Sequence, residues 1–552
     1  MSMTKRQTNL VTIGLLLGVL LEALDGTIVG TAMPRVVTDL GGISLLGWVF
    51  SAYILTSTVT TPIYGKLSDL YGRMPFYLGG MAIFMIGSIA CGFAQDMTQL
   101  VIFRGVQGLG AGAMMPVAIA LAQTVFPPED RGKVQAAISG AFGIASIFGP
   151  TLGGFIVDNF NWRWVFFFGV PVGILAVAIL YFNLPESTRR NTENTGKRSV
   201  DWWGATFLTL SATSLMLGFQ FGGDSTLGWT SWQALVPFTI TLVSLVAFLL
   251  VEQRVEEPIV PLQTFKKRTF SLVIVVNFLI GAVMIAVLSY LPLFMQGVLG
   301  TSATNSGTII TPAMIALVIG TIFTGRLVGT KVEQYKWVGL FAAILLLVST
   351  ILMTTLGVQS TEWQVIVYMC IFGFGLGITF PLYAIVISTS MERRNLGVAM
   401  GLLTFFRSLG NVISVALFGS ILAGQLKTEV VDQIGARLPG EVTSKLPLGE
   451  LSNAGANALT SPQALEGLRH SFNTVDPSGN LFNTILEALK AALSNSVHTL
   501  FIGGAIIAAL VLVVTLLLKN ERINFARLRQ QREAAEGALK QKALESSEAA
   551  AV

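Results

Sequence analysis

The feature that most constrains the fold of this sequence is a series of fourteen apolar runs, most of them long enough to cross a bilayer. A membrane-spanning α-helix needs about 20 mostly apolar residues. In lipid every backbone polar group must be satisfied internally, which an α-helix does within one segment. The sequence therefore predicts an all-α polytopic membrane protein. We assign the runs to residues 10–33, 46–65, 75–94, 98–121, 133–157, 163–183, 201–221, 233–251, 270–292, 306–328, 337–356, 364–387, 397–421 and 495–518.

The composition excludes a soluble protein. Charged residues make up 12% of the chain, whereas soluble chains carry about 25%. The net charge of +5 is spread through short loops, so we expect no nucleic-acid partner. With two Cys and two His in all, we expect neither a disulfide framework nor a metal site.

Most of the 35 Lys and Arg residues fall in alternate connections between the runs and in the two terminal segments. Because cytoplasmic loops are enriched in Lys and Arg, we predict that both termini are cytoplasmic. A twelve-helix chain would show the same bias, so the charges support an even number of helices rather than fourteen in particular.

A loop after the second run, Gly65–Arg73, reads GKLSDLYGR. Gly65 and Gly72 bracket a tight turn, and Asp69 can pair with Arg73 and accept hydrogen bonds from the N-terminus of a neighbouring helix. Such contacts can hold one side of a transporter shut and break in its other state. We interpret these four residues as a gate.

Two acids lie inside the first run, where ionisable residues are costly and usually functional. Asp25 is interpreted as a proton carrier; the alternative is a helix cap or a structural hydrogen bond near Pro34. Glu22 lies three residues earlier, about 60° away on the same helix. The pair could carry protons, bind a cationic substrate or do both, or Glu22 could simply contact a polar partner.

Two arginines also lie inside apolar runs. Arg104 and Arg407 each need a counter-ion or a polar cavity, with a structural hydrogen bond to backbone as the alternative. Asn411 follows Arg407 by one helical turn.

The Gly65–Arg73 loop closely resembles the signature loop of the major facilitator superfamily. Four further stretches resemble motifs of its fourteen-helix drug:proton antiporters: Leu24–Pro34, Arg104–Gly110, Gly143–Gly154 and, more weakly, Tyr290–Gln296.

The resemblance implies the major facilitator fold, with two six-helix bundles, two inserted helices and alternating access. The predicted divisions are an N-terminal bundle at 1–184, a cytoplasmic linker at 185–200, the inserted helices with a cytoplasmic loop at 201–268, a C-terminal bundle at 269–518 with a long outer loop at 422–494, and a cytoplasmic tail at 519–552.

The resemblance also implies a function. We expect a monomeric, multi-pass transporter of the plasma membrane that exports lipophilic or cationic drugs in exchange for protons. The proton gradient would supply the energy, and no cofactor is expected. Arg104 would modulate the proton-carrying carboxylate of a neighbouring helix. A conformational role, which favours export, falls to Gly143, Gly149, Pro150, Gly153 and Gly154.

The sequence departs from the family pattern in its acids. Glu22 stands where a small or apolar residue is usual, and the runs 306–328 and 397–421 contain no Asp or Glu. Divalent-cation substrates are therefore disfavoured, and proton binding would concentrate on Glu22 and Asp25. Candidate cavity residues, each of which could instead be simple packing, are Trp48, Tyr53, Phe142, Asn277, Tyr290, Gln296, Phe380, Tyr383, Arg407 and Asn411.

Two rival functions stay open. One is a lipid or metabolite exporter of the same fold, and the other is a non-transporting receptor or scaffold. The sequence lacks the loop GxxxxGK followed by Ser or Thr that binds ATP phosphates, and it contains no enzyme constellation.

Overall fold

The computed structural model describes residues 5–40, 45–126, 128–184, 201–223, 228–255, 258–301, 303–327, 335–391, 395–438, 466, 469, 470 and 480–519. Regular structure within these ranges is helical. The helices are α1 Lys5–Leu40, α2 Leu46–Tyr71, α3 Arg73–Gly92, α4 Met97–Val125, α5 Pro128–Asn159, α6 Trp164–Phe167, α7 Gly169–Asn183, α8 Trp202–Gly223, α9 Trp232–Glu252, α10 Arg268–Leu288, α11 Leu291–Gly297, α12 Ala303–Leu327, α13 Tyr335–Met353, α14 Glu362–Ser390, α15 Leu396–Arg437 and α16 Asn480–Leu516, with a short 3-10 helix at Leu262–Lys266.

Twelve of the fourteen predicted apolar runs each coincide with a single helix, and the all-α prediction is confirmed. Runs 163–183 and 270–292 are each divided between two consecutive helices. Among the described residues, ten helical segments are long and apolar enough to cross a membrane. Helices α2, α5, α8 and α12 also match predicted runs. Within α12, Thr311–Leu327 is a shorter apolar helix.

Helix packing connects the two halves of the chain at defined places. In the first half α1 packs on α5 and α7, while α4 packs on α2 and α3. In the second half α10 packs on α15 and α16, while α14 packs on α12 and α13. The halves meet where α2 lies against α15 and α5 lies against α12. Helices α8 and α9 pack on each other, and α8 also lies against α2 and α15.

Glycines allow α1 and α5 to approach closely. A Cβ atom at Gly149 would collide with Oγ1 of Thr27, and one at Gly153 would collide with Oγ1 of Thr31. Gly154, in contrast, has no atom within 4 Å of the position of a Cβ. Close backbone approach through small residues is how membrane helices pack tightly.

Two helices extend beyond the predicted spans. Helix α15 continues to Arg437, and α16 begins at Asn480, so both ends of the predicted outer loop 422–494 are helical. The extension of α15 buries Leu426, Val430 and Ile434, spaced four residues apart. Because the charged residues between them lie on the exposed face, the apolar run ends before the helix does.

Residues 480–494 of the predicted outer loop and most of the run 495–518 form one helix, α16. The linker 185–200 and the tail from residue 520 onward lie outside the described residues. The side chain of Pro150 also lies outside them.

Candidate functional site

A buried ion pair joins α1 to α4. Nη1 of Arg104 lies 2.6 Å from Oδ2 of Asp25, and their side chains are only 1% and 6% exposed. Nε2 of Gln107 donates to Oδ1 of Asp25 at 2.8 Å. Nη1 of Arg104 also donates to Oε1 of Gln107 at 2.7 Å. Each oxygen of the carboxylate therefore has a donor, as a buried charge requires.

Arg104 is held from two further sides. Its guanidinium lies 4.2 Å from the centre of the Tyr53 ring, and its Nε donates to the backbone oxygen of Val49 at 3.4 Å. The predicted counter-ion and the alternative backbone hydrogen bond are thus both present. Sequence reasoning did not single out Gln107, although its position one turn after Arg104 places both side chains on one face of the helix.

Glu22 lies between the two halves of the chain. It forms a hydrogen bond with the backbone of Met115 in α4, and the charges of Arg407 and Asp25 both act on it. Its Oε2 is buried and has no hydrogen-bond partner among the described residues. Because Arg407 belongs to α15, this interaction links helices that are almost 400 residues apart in the sequence.

Arg407 packs against an aromatic ring. Its guanidinium lies 4.6 Å from the centre of the Phe380 ring on α14. One turn later, Oδ1 of Asn411 is buried with no hydrogen-bond partner in the described part of the chain. A Cβ at Gly281 of α10 would collide with the backbone oxygen of Arg407, so α10 and α15 cross closely at this level.

The segment Gly65–Arg73 is not the loop that the sequence predicted: Gly65 to Tyr71 form the last turns of α2, and the chain turns at Gly72 alone before α3 begins at Arg73. This end of α2 contacts the start of α15. Oδ1 of Asp69 pairs with Nη2 of Arg73 at 2.9 Å, and Oδ2 accepts from the backbone N–H of Val398 at 2.9 Å. The N–H of Gly397 also donates to this carboxylate. Arg73 donates in turn to the backbone oxygen of Ala120 in α4 at 3.1 Å. Asp69 thereby satisfies orphan N–H groups at the N-terminus of a helix.

Glycine is required on both sides of this contact. A Cβ at Gly65 would lie 2.6 Å from the backbone oxygen of Gly397, and a Cβ at Gly397 would lie 2.7 Å from Oδ1 of Asp69. Gly72 ends α2 with φ of 108°, a conformation that other residues rarely adopt. The whole motif is therefore shaped by backbone contact between α2 and α15.

A second cluster at this end involves the inserted helices, and sequence reasoning missed it. The charges of Asp201 and Lys66 act on Glu252 at the end of α9. Oε1 of Glu252 accepts from the backbone N–H of Val260 at 3.1 Å, and Asp201 caps α8 by accepting from Gly204 at 2.7 Å. The only signal in the sequence is that each acid lies at the end of an apolar run.

Three of the predicted cavity residues use their polar groups in packing between or along helices. Nδ2 of Asn277 donates to the backbone oxygen of Val273 at 3.0 Å. The hydroxyl of Tyr290 donates to the backbone oxygen of Val415 at 3.1 Å. Tyr383 is buried, with its hydroxyl 3.5 Å from that of Thr515.

The other predicted cavity residues are not all brought together. Tyr53 and Phe380 lie against Arg104 and Arg407 as described above. The Trp48 ring is 6.1 Å from that of Phe221 in α8, whereas Phe142 is 39% exposed and Gln296 is half-buried.

The sequence matches the family model described as Major Facilitator Superfamily over residues 15–415. It is 36% identical to the multidrug transporter protein MdtP of Bacillus subtilis, over 98% of each chain. It is 34% identical to multidrug resistance protein 3 of the same organism, over 94% of this chain and 96% of the relative. An efflux pump of Gibberella moniliformis, FUS6, is 31% identical over 76% of this chain and 74% of its own length.

Solved structures share the fold at low sequence identity. The human organic anion transporter MFSD10 matches with a TM-score of 0.57 and 14% identity, over 92% of this chain and 100% of the other. The proton:xylose symporter XylE matches with a TM-score of 0.54 and 14% identity, over 81% and 94%. The chain is therefore a multi-pass membrane transporter rather than an enzyme, and it belongs to the Major Facilitator Superfamily.

Proposed function

We propose that this chain exports lipophilic or cationic drugs and toxic compounds in exchange for protons, by alternating access. The observation that carries the proposal is the pair of acids on α1. One is neutralised by Arg104 within its own half of the chain, and the other is acted on by Arg407 from the opposite half. The proton gradient would be the energy source, and no cofactor would be needed.

Asp25 is the proposed proton carrier. When it is ionised, it pairs with Arg104; when a proton binds, the attraction is lost and Arg104 keeps an uncompensated charge. Breaking a buried ion pair costs about 3–5 kcal/mol, enough to favour a different helix arrangement. Proton binding from outside and release inside would then couple the gradient to the change of state.

Glu22 and Asn411 are the proposed contacts for a cationic substrate. Their buried oxygens, Oε2 and Oδ1, can accept hydrogen bonds that no described residue supplies. Phe380 adds an aromatic face on which Arg407 now lies and on which a cationic substrate could lie instead. An adaptable, mostly apolar cavity suits varied lipophilic compounds.

The gate and the glycine motif would provide the movement. Asp69 joins α2 to α15 through hydrogen bonds that must break when the cytoplasmic side opens. The close contacts of Gly149 and Gly153 with α1 would allow α1 and α5 to move as one unit, as transporter repeats do. Gly143, which packs against Val318 of α12, lies where the two halves separate.

The relatives support drug export over other cargo. Two are named for multidrug transport or resistance, and each aligns over at least 94% of this chain. The protein would lie in the plasma membrane, and by the charge distribution of the loops both termini would be in the cytoplasm. We propose that it works as a monomer of two six-helix bundles plus the inserted pair α8 and α9.

Proteoliposomes test the proposal directly. A proton gradient is imposed, candidate cationic drugs are added, and lumenal pH is followed with a trapped dye. The unchanged chain should link drug movement to proton movement, and Asp25→Asn should abolish that link. Glu362→Gln, which neutralises an exposed acid at the start of α14, serves as the matched control and should behave like the unchanged chain.

The rival functions predict different results in the same assay. Drug-linked proton movement that persists in both Asp25→Asn and Glu22→Gln would exclude the proposed proton sites. Absence of such movement across a broad drug panel, with transfer of labelled lipid or metabolite instead, would favour the alternative exporter. No transport of any cargo would favour a receptor or scaffold.

A further inference from the structure

An apolar groove of about 610 Å³ lies between α1, α5 and α12, away from the buried charges described above. Its α1 wall includes Ile13 and Leu20, and its α12 wall includes Val318 and Ile322. Three lining side chains, Ile13, Ile144 and Ile322, remain 42–47% exposed, so the groove is open along its length.

The groove exists because α1 and α5 pack unevenly. Around Thr27 and Thr31 the two helices are held together by the contacts with Gly149 and Gly153. Nearer the start of α5 the residues that line the groove are mostly small, among them Ala136, Ala137 and Gly140, and they leave space beside α1. A Cβ at Gly140 would meet only Val318, at 4.0 Å, so the space beside this glycine is empty of other side chains.

The chemistry of the groove is asymmetric. Lys133 and Arg326 belong to its lining, and every other lining residue is apolar or glycine. Lys133 lies near the start of α5 and Arg326 near the end of α12, so both bases lie at the same end of the groove. Both side chains are exposed. An aqueous channel would present polar walls, whereas these walls suit a hydrocarbon chain.

We propose that this groove binds an anionic phospholipid of the cytoplasmic leaflet, with an acyl chain along the apolar walls and its phosphate at Lys133 and Arg326. The volume falls within the range of about 300–1,000 Å³ typical of small-molecule sites. Basic pockets between spanning helices on the cytoplasmic side are suited to anionic headgroups. A free phosphate would gain nothing from the apolar walls.

The position of the site gives it a consequence for transport. Helix α5 belongs to the first half of the chain and α12 to the second, and the two are in contact beside the groove, where Gly143 meets Val318. A bound lipid would touch both helices and would have to adjust whenever they separate. The lipid therefore favours the arrangement in which the groove is intact, independently of which compound is transported.

The test measures lipid retained by the full chain in nanodiscs that contain equal amounts of phosphatidylglycerol and phosphatidylcholine, by native mass spectrometry. The unchanged chain should retain phosphatidylglycerol preferentially. Removing both charges with Lys133→Gln and Arg326→Gln should weaken that retention about 30-fold, since each base near the surface contributes about a fivefold factor. Gly140→Leu fills the groove and should release the lipid while leaving both bases in place.

Matched controls separate the groove from general charge and helix effects. Arg254→Gln with Lys266→Gln removes two exposed bases elsewhere and should leave retention unchanged. Gly154→Leu places the same side chain on α5 where no atom lies within 4 Å and should also leave it unchanged. Equal retention of the two lipids by the unchanged chain would overturn the proposal, as would undiminished retention in either groove variant.

Discussion

Oδ2 of Asp69 accepts a hydrogen bond of 2.9 Å from the backbone N–H of Val398, a residue 329 positions later in the chain. A carboxylate from the first half thus caps a helix of the second half. Because an acid at a helix N-terminus is favoured by both hydrogen bonding and the helix dipole, this contact stabilises the arrangement in which α2 and α15 lie together.

The first prediction concerns this cap. Asp69→Ala should leave the N–H groups of Gly397 and Val398 without their acceptor, which costs about 1 kcal/mol for a helix cap. Amide hydrogen exchange in the first turn of α15 should therefore become about fivefold faster. Asp96→Ala, which removes the cap of α4, is the control, since it should accelerate exchange at Gln99 and not in α15. Unchanged exchange at Val398 would contradict the assignment.

The second prediction concerns the buried ion pair. Asp25→Asn leaves the charge of Arg104 without its anion and should destabilise the chain by about 3–5 kcal/mol, measured by unfolding in detergent. Arg104→Gln combined with Asp25→Asn should cost less than the sum of the two single changes, because neither charge is then left alone. Strictly additive effects would mean that the two side chains do not depend on each other.

The third prediction concerns charge selectivity and uses two compounds of the same shape, one cationic and one neutral. Glu22→Gln should weaken binding of the cation by about 10-fold or more, the value of a hydrogen bond to a charged group, and leave the neutral compound unaffected. Arg407→Gln should instead strengthen binding of the cationic compound, because it removes a competing positive charge. Equal effects on both compounds, measured by equilibrium binding, would assign Glu22 a structural role only.

The fourth prediction compares two glycines of one motif. Gly149→Ala brings a methyl group against Thr27 and should destabilise the chain by about 1–3 kcal/mol, as overpacking does, with a loss of transport rate. Gly154→Ala meets nothing within 4 Å and should stabilise α5 by up to about 1 kcal/mol. Thermal unfolding and the proteoliposome assay measure both. Equal stability and equal transport rates in the two variants would exclude close packing of α1 and α5 as the purpose of the motif.

The sequence was sufficient to predict the helices, because a helix in lipid must be built from a long apolar run. It was sufficient to predict that Asp25 and Arg104 need partners, since neither can be left alone in a membrane. It did not single out Gln107, because an uncharged amide inside an apolar run carries no comparable cost. The link between Glu22 and Arg407 depends on how two distant helices cross, which hydropathy does not encode.

Helix ends were less predictable than helix positions. The run 397–421 ends where charges begin, but α15 continues because Leu426, Val430 and Ile434 still have a packing surface on one face. The cluster of Lys66, Asp201 and Glu252 was missed for a related reason. Its members come from three separate segments, which come together because α8 packs beside α2 and α9 packs on α8.

Helix α15 has one further property that follows from its length. Its 42 residues span about 63 Å, roughly twice the thickness of the hydrocarbon core. One end is capped by Asp69, Arg407 lies in its first third, and the far end extends with α16 beyond the membrane. If α15 moves as a rigid rod about its capped end, each degree of tilt displaces Arg437 by about 1 Å. Small movements at the contact between Asp69 and α15 would therefore be amplified at the far end, where a label near Arg437 would report changes in the tilt of the helix.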